Sequence, residues 1–267
     1  LGLEPGKFVH LHPPSRWHFK CWTAEGWADI IARIRAALRA RDADQALAIA
    51  LSLVDGPVAG QIWPYVSTCW RLLGDARAAW LDGAPPYVRA TDVGLSGAEL
   101  AELAQVLRAL HTAQLPYAEQ SVRGGTQTDR SILLRHEPIL ERARAALMAA
   151  MRDYVASLPP HDPAHPLLSR PRDDLRISGS WSVRLDGGGF NVTHSHPMGW
   201  ISSAFYVSLP DTGIDTGTMG AAPAGHFHYG APPPELGLDL APYATIAPRV
   251  GQLVMFPSTL WHGTVPT

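Results

Sequence analysis

The sequence predicts an α+β chain, a helical amino-terminal part followed by an all-β module of short strands. Two observations predict it. Over residues 23–82 apolar side chains recur at three- and four-residue steps, the period of a helix with one buried face. Beyond a stretch rich in Pro and His at 159–172, read as a linker, the period shortens to that of strands, and Gly, Pro and Asp punctuate the runs. With 267 residues, 46% of them apolar, the chain can bury one or two cores.

Trp27, Ile30, Ile31, Ile34 and Leu38 mark the first helix, and residues 46–53 form a second apolar stretch. Trp63, Val66, Ser67, Trp70, Leu73, Gly74, Asp75 and Ala79 then space large residues, a small residue and a Gly turn much as a tetratricopeptide helix pair does. Residues 46–53 would be the second half of an earlier repeat. Such helices serve either as a peptide-docking surface or as support for the module that follows. Fewer repeats are visible than the roughly three that a solenoid needs. The division expected is a tetratricopeptide-like helical region over 1–95 and a β domain over 96–267, led by amphipathic helices at 98–112 and 136–157. Between those two helices, residues 121–128 are polar and contain Gly124 and Gly125. They are read as a loop, either a plain connection or one that folds over a site, because paired glycines let the backbone approach a ligand closely. Strands are expected at 180–185, 200–209, 226–229 and 252–256, and a loop at 211–220.

Composition narrows the function. A formal charge of −2 and scattered Arg residues give no basic face for a phosphate backbone, so nucleic acid is not expected as a partner. No apolar run approaches the roughly 20 residues of a membrane-spanning helix, and the amino end lacks the order of a signal peptide. The expected location is the cytoplasm. Cys21 and Cys69 each adjoin a Trp in an apolar stretch and read as buried free thiols rather than a disulfide.

Three of the twelve histidines carry the chemistry. His194 and His196 are two apart, so on an extended strand both leave the same face. His262 follows a later apolar run, Leu253 to Phe256. Imidazole suits Fe, Zn, Cu or Ni, and facial coordination with open positions is the arrangement that oxygen-activating Fe(II) uses. The ordinary reading is that strand histidines face solvent or make hydrogen bonds. Gly188 six residues before His194, Gly251 six before Pro257, and His262 five beyond that Pro resemble the spacing of the two metal-binding cupin motifs, without the Glu expected after His-x-His. A second pair, His226 and His228, competes for metal.

Longer motifs sharpen the resemblance. They are Trp181-Ser182-Val183-Arg184-Leu185, the stretch from Asn191 through His194, His196 and Trp200 to Val207, and that from Pro248 through Gly251 and Pro257 to Pro266. Together they resemble a bacterial family of 2-oxoglutarate–Fe(II) oxygenases associated with tetratricopeptide repeats, over roughly residues 115–267. The resemblance implies a double-stranded β-helix, a cupin-like jelly-roll barrel, carrying a dioxygenase that takes Fe(II) as cofactor and 2-oxoglutarate as co-substrate. By position, His194 and His262 fill the two histidine places of the facial triad, and His196 stands where the wider superfamily has Asp or Glu. The resemblance places Tyr206 where a Tyr reaches the distal carboxylate of 2-oxoglutarate, the alternative being a Tyr packed in a barrel strand. Arg184 is the nearest substitute for the Arg that usually binds that carboxylate, provided it turns into the barrel; otherwise it lies on a solvated face. The expected substrate is a peptide, a protein side chain or an amino-acid-like small molecule. Two other readings stand beside it: a three-histidine cupin-type dioxygenase that does not use 2-oxoglutarate, and a non-catalytic interaction protein of helical platform and barrel.

Overall fold

The computed structural model describes residues 24–83, 87–113, 120–210 and 224–266. Cys21 and the loop expected at 211–220 lie outside the described residues.

Three helices open the described chain: α1 (Ala24–Arg39), α2 (Ala43–Leu51) and α3 (Ala59–Leu72). Asp42 caps α2, its carboxylate accepting from the Gln45 N–H at 2.9 Å, which satisfies one of the four donors a helix start leaves open. Ile34, Leu38, Ala46, Ala50, Ile62, Val66, Cys69 and Trp70 close one core among the three helices. Cys69 is a free, fully buried thiol, and burial pushes its pKa up to about 12. The second helix expected of a tetratricopeptide pair does not follow α3. Among the described residues a single π-helical turn, Ala79–Gly83, stands there instead.

Strand β1 (Arg89–Asp92) comes next, then α4 (Gly97–Leu110), which begins in a reciprocal box: the Ser96 hydroxyl receives the Glu99 N–H at 3.3 Å and the Glu99 carboxylate receives the Ser96 N–H at 2.9 Å. Helix α5 (Pro138–Ser157) starts on Pro138, whose missing N–H costs nothing in a first turn. Leu103 and Leu107 of α4 pack on Ile139, Leu140 and Ala143 of α5.

Seven further strands follow the pattern of short β runs: β2 (Val122–Gln127), β3 (Val183–Asn191), β4 (Ile201–Phe205), β5 (Phe227–Tyr229), β6 (Ala244–Ile246), β7 (Gln252–Pro257) and β8 (His262–Thr264). They form antiparallel sheets of order β1-β7-β4, β2-β3 and β6-β5-β8. β7 explains why its sequence is an unbroken apolar run. Leu253 and Met255 face α5 and the 158–168 segment, packing with Tyr154, Val155, Leu158, Leu167 and Leu168. Val254 and Phe256 face the other way, onto Phe227 of β5 and Leu260. A strand covered on both sides needs apolar residues at every position, not at alternate ones.

Two expectations are corrected. Residues 121–128 are not a loop, because β2 occupies them and pairs with β3. Gly124 and Gly125 are there for backbone approach, but to a strand: Gly124 holds φ +61° at a register shift, and a Cβ on Gly125 would strike the Arg184 carbonyl oxygen. Nor is 159–172 a free linker, since His165, Leu167 and Leu168 are buried and the His165 Nδ1 accepts the Leu167 N–H at 3.1 Å. β1 falls on the helical side of the division expected near residue 95, yet its hydrogen-bonding partner is β7.

Candidate metal centre

His194 lies just beyond β3 and His262 opens β8. The two residues exchange both backbone hydrogen bonds, His194 N–H to His262 O at 2.9 Å and His262 N–H to His194 O at 3.0 Å. The third histidine, His196, is held in the following turn by its own N–H, which donates to the Ser258 carbonyl at 2.8 Å. Ser258 in turn shares a hydrogen bond with Ser202 of β4, Oγ to Oγ at 2.7 Å. Chain stretches far apart in sequence thereby deliver three imidazoles to one place. Their ring centres stand 4.3–4.9 Å apart, and one nitrogen from each lies within 4.8 Å of the others.

The rings are oriented from behind. The Nδ1 of His194 donates to the Val192 carbonyl at 2.7 Å and that of His262 to the Leu260 carbonyl at 2.9 Å. A neutral imidazole that donates through Nδ1 presents a lone pair at Nε2, which is how protein carbonyls orient metal-binding histidines. The His262 Nε2 then faces the His196 Nε2 at 3.2 Å. Phe256 and Phe227 wall His262, with ring centres at 4.4 and 5.9 Å. Burial holds all three pKa values below the ordinary histidine range: His262 far below it, with His194 and His196 adding to the effect, His196 down to about 4 with a contribution from His194, and His194 itself lower than usual. All three are neutral at pH 7, the form a cation requires. Among the described residues no carboxylate joins the group.

The remaining sequence candidates fall in different places. Tyr206 follows β4 on its inward face, packed in the cluster of Phe227, Val254 and Phe256. Its hydroxyl is buried, has no hydrogen-bond partner among the described residues, and burial raises its pKa. Arg184 does not turn inward. On β3 its neighbours Val183 and Leu185 are half-buried while Arg184 is exposed, the opposite face of the same alternation. It lies close enough to His111 to help lower that imidazole's pKa, after burial; His111 itself bridges Thr126 and Ser182 at 2.8 and 3.0 Å. His226 and His228 stand outside the three-histidine group. His228 nevertheless lies over Gly263, beside His262, with its buried Nδ1 unpartnered among the described residues. Sequence reasoning treated it as a rival metal ligand. Its contact with the residue after His262 could not be read without the β5–β8 pairing that puts His228 opposite Gly263. Trp181 is the other residue missed: 44% exposed, it stands against His196 at 5.5 Å between ring centres.

Residues 179–267 match the model of a protein family described as "Putative 2OG-Fe(II) oxygenase". Among solved structures the chain is similar to a prolyl-4-hydroxylase from Pseudomonas putida, with 16% identity over 68% of this chain and 85% of that one, at a TM-score of 0.43. No curated protein matches. The matched segment contains all three histidines, and no helix among the described residues is long and apolar enough to cross a membrane. Fe(II) as cofactor and 2-oxoglutarate as co-substrate are those of the matched family, and three converging neutral imidazoles fit such an iron.

Proposed function

We propose that this chain is an Fe(II)- and 2-oxoglutarate-dependent dioxygenase that holds its iron through His194, His196 and His262 and hydroxylates a peptide, a protein side chain or an amino-acid-like small molecule. One observation carries the reading: two of the three rings have Nδ1 tied to a backbone carbonyl, which turns the Nε2 lone pairs of His194 and His262 into the group, with the His196 Nε2 at 3.2 Å from that of His262. A neutral His196 protonated at Nε2 donates across that contact, and a shared cation takes the place of that proton. When bound, the iron supplies dioxygen activation coupled to decarboxylation of 2-oxoglutarate. The protein's part is to orient, to exclude water and to neutralise charge. Three neutral ligands leave the centre more positive than a carboxylate-bearing triad would, which favours a dianionic co-substrate.

The Tyr206 hydroxyl is the proposed donor to the distal carboxylate of 2-oxoglutarate, with the His228 Nδ1 as a second donor. A buried hydroxyl without a partner costs about 1–3 kcal/mol, and a bound carboxylate recovers it. Trp181, whose ring stands 5.5 Å from that of His196, and the almost fully exposed Met198, two residues beyond His196 in the chain, are the proposed apolar contacts for a side chain presented from outside. The oxygenase domain in this reading spans residues 96–267 on a double-stranded β-helix, with 1–95 as its helical support. The long-range antiparallel pairings β4–β7 and β5–β8, together with the His194–His262 bridge, support that winding.

The test is anaerobic reconstitution with Fe(II), followed by succinate release from 2-oxoglutarate under oxygen. Turnover that His194→Ala and His262→Ala both abolish is the expected result. Stoichiometric iron without succinate in the presence of candidate substrates would sink the 2-oxoglutarate reading and leave a three-histidine dioxygenase of another kind.

A further inference from the structure

The residues flanking two of the three histidines both rest on one helix. Trp261, immediately before His262, leaves the β module and buries its indole in the helical core, where its ring meets Tyr65 edge-on at 5.4 Å. Its Nε1–H donates to the Pro64 carbonyl of α3 at 3.0 Å and lies 3.2 Å from the Thr68 hydroxyl, which itself donates to Pro64 O at 2.9 Å. One turn earlier on the same helix, Gly60 meets Pro197, the residue immediately after His196. The fit there is so close that a Cβ on Gly60 would overlap the Pro197 carbonyl oxygen. Gly60 and Pro64 are four apart, so both contacts lie on one face of α3.

On the proposed ligand set, we infer that α3 is a template for the metal centre: Gly60 through Pro197 and Trp261 through its indole fix the separation of His196 from His262. A helix turn is far stiffer than the loop 195–199 or the turn that leads into β8, so seating both on it transfers its rigidity to the two facing nitrogens. The inter-nitrogen distance of 3.2 Å is then set by a part of the chain that carries no ligand of its own. Gly60, Pro64 and Trp261 are positioning residues. Trp261 as mere core filling would predict a loss of stability on substitution and no change in the metal.

The discriminating experiment titrates the full chain with Co(II) alone and records the d–d absorption of the bound ion. Trp261→Phe keeps an aromatic ring against Tyr65 but removes the N–H together with part of the indole's volume, a loss that Trp80→Phe shares, while Gly60→Ala adds a single methyl against Pro197. Both should keep a cooperative thermal transition yet bind Co(II) roughly 10–100-fold more weakly, with shifted d–d bands, the range found when groups behind metal ligands are removed. Trp80→Phe is the control. It deletes an indole hydrogen bond to Asp162 at the edge of the same helical core and should bind Co(II) as the unaltered chain does. Unchanged affinity and spectrum in both Trp261→Phe and Gly60→Ala would overturn the template, as would an equal loss in Trp80→Phe. Should Trp261→Phe fail to fold, the Gly60→Ala titration decides alone. If the unaltered chain takes up no Co(II), or binds it equally well after His194→Ala and His262→Ala, the histidine site itself falls and the template with it.

Discussion

The Nε2 atoms of His262 and His196 face each other at 3.2 Å while the opposite nitrogen of His262 is committed to the Leu260 carbonyl. With Nδ1 carrying the His262 proton, only a proton on His196 or a cation relieves the contact. A neutral His196 supplies that proton from Nε2, and a bound cation would take its place.

Divalent metal should accordingly stabilise the fold. At a hundredfold excess over its dissociation constant a ligand adds about 2.7 kcal/mol, which for a chain of this length corresponds to a rise in Tm of about 5–10 °C. Scanning calorimetry with Ni(II) or Co(II) measures it. His262→Ala should abolish the rise, and an undiminished rise in that variant would locate the metal elsewhere.

The same imidazoles make the metal-free protein acid-sensitive. Their folded pKa values lie below the unfolded value of about 6.5, His196 at about 4, so between these limits the unfolded chain binds more protons. Stability from this source is complete above pH 6.5 and is lost as pH falls towards 4. Urea unfolding in the presence of a chelator should show a loss of roughly 2 kcal/mol or more between pH 6.5 and 4.5. A flat profile would contradict neutral, buried imidazoles.

Asp82 acts with the opposite sign. Fully buried in the turn after α3, its carboxyl is pushed up to about 7 by burial, against a hydrogen bond from Ser67 and the nearby Arg71. A carboxyl whose folded pKa is raised stabilises the fold at low pH, and that contribution is lost as pH rises from about 4 through 7. Asp82→Asn, which keeps a polar group beside Ser67 but cannot ionise, should be more stable than the parent at pH 8 by about 1 kcal/mol or more. Equal denaturation midpoints at pH 8 would refute the raised pKa.

Tyr206→Phe should separate stability from activity. Removing a buried hydroxyl that has no partner stabilises the resting protein by about 1 kcal/mol, whereas losing a donor to the co-substrate raises the KM for 2-oxoglutarate about tenfold. Tm and succinate-release kinetics on the same preparation report the two effects. A fall in Tm with an unchanged KM would return Tyr206 to ordinary packing.

Much of this architecture was legible because its signals are local. The apolar steps at Ile34 and Leu38 mark α1, the Ser96–Glu99 pair marks the start of α4, and the double-faced run Leu253 to Phe256 marks a covered strand. The convergence of His194, His196 and His262 was legible from spacing and motif together. What was not legible depends on partners distant in sequence. Residues 122–127 are polar and Gly-rich because they crowd against Gly188 and Gly189 of β3 where the register shifts, and that composition imitates a loop. β1 has only four residues and is a strand because β7 offers it an edge. Arg184 alternates as a strand residue should, but which face looks inward is a question of tertiary packing.

The arginines of the helical layer bear on how such a molecule is inherited. Arg35 pairs with the Glu235 carboxylate at 3.0 Å, Arg39 and Arg41 donate to the Glu235 and Gly237 carbonyls at 3.0 and 2.8 Å, and Arg71 donates to those of Gly230 and Ala241. Leu236 fills the helical core between them. Most of these bonds end on main-chain oxygens, which every residue type possesses, so apart from Gly230, Glu235 and the buried Leu236 they depend on the path of the 230–241 segment rather than on its side chains. The four guanidinium groups enjoy no such latitude. Recombination that brought this β module a new set of helices would have to supply matching cations and a seat for one indole in the same event, so the two halves would pass down lineages as a single heritable piece.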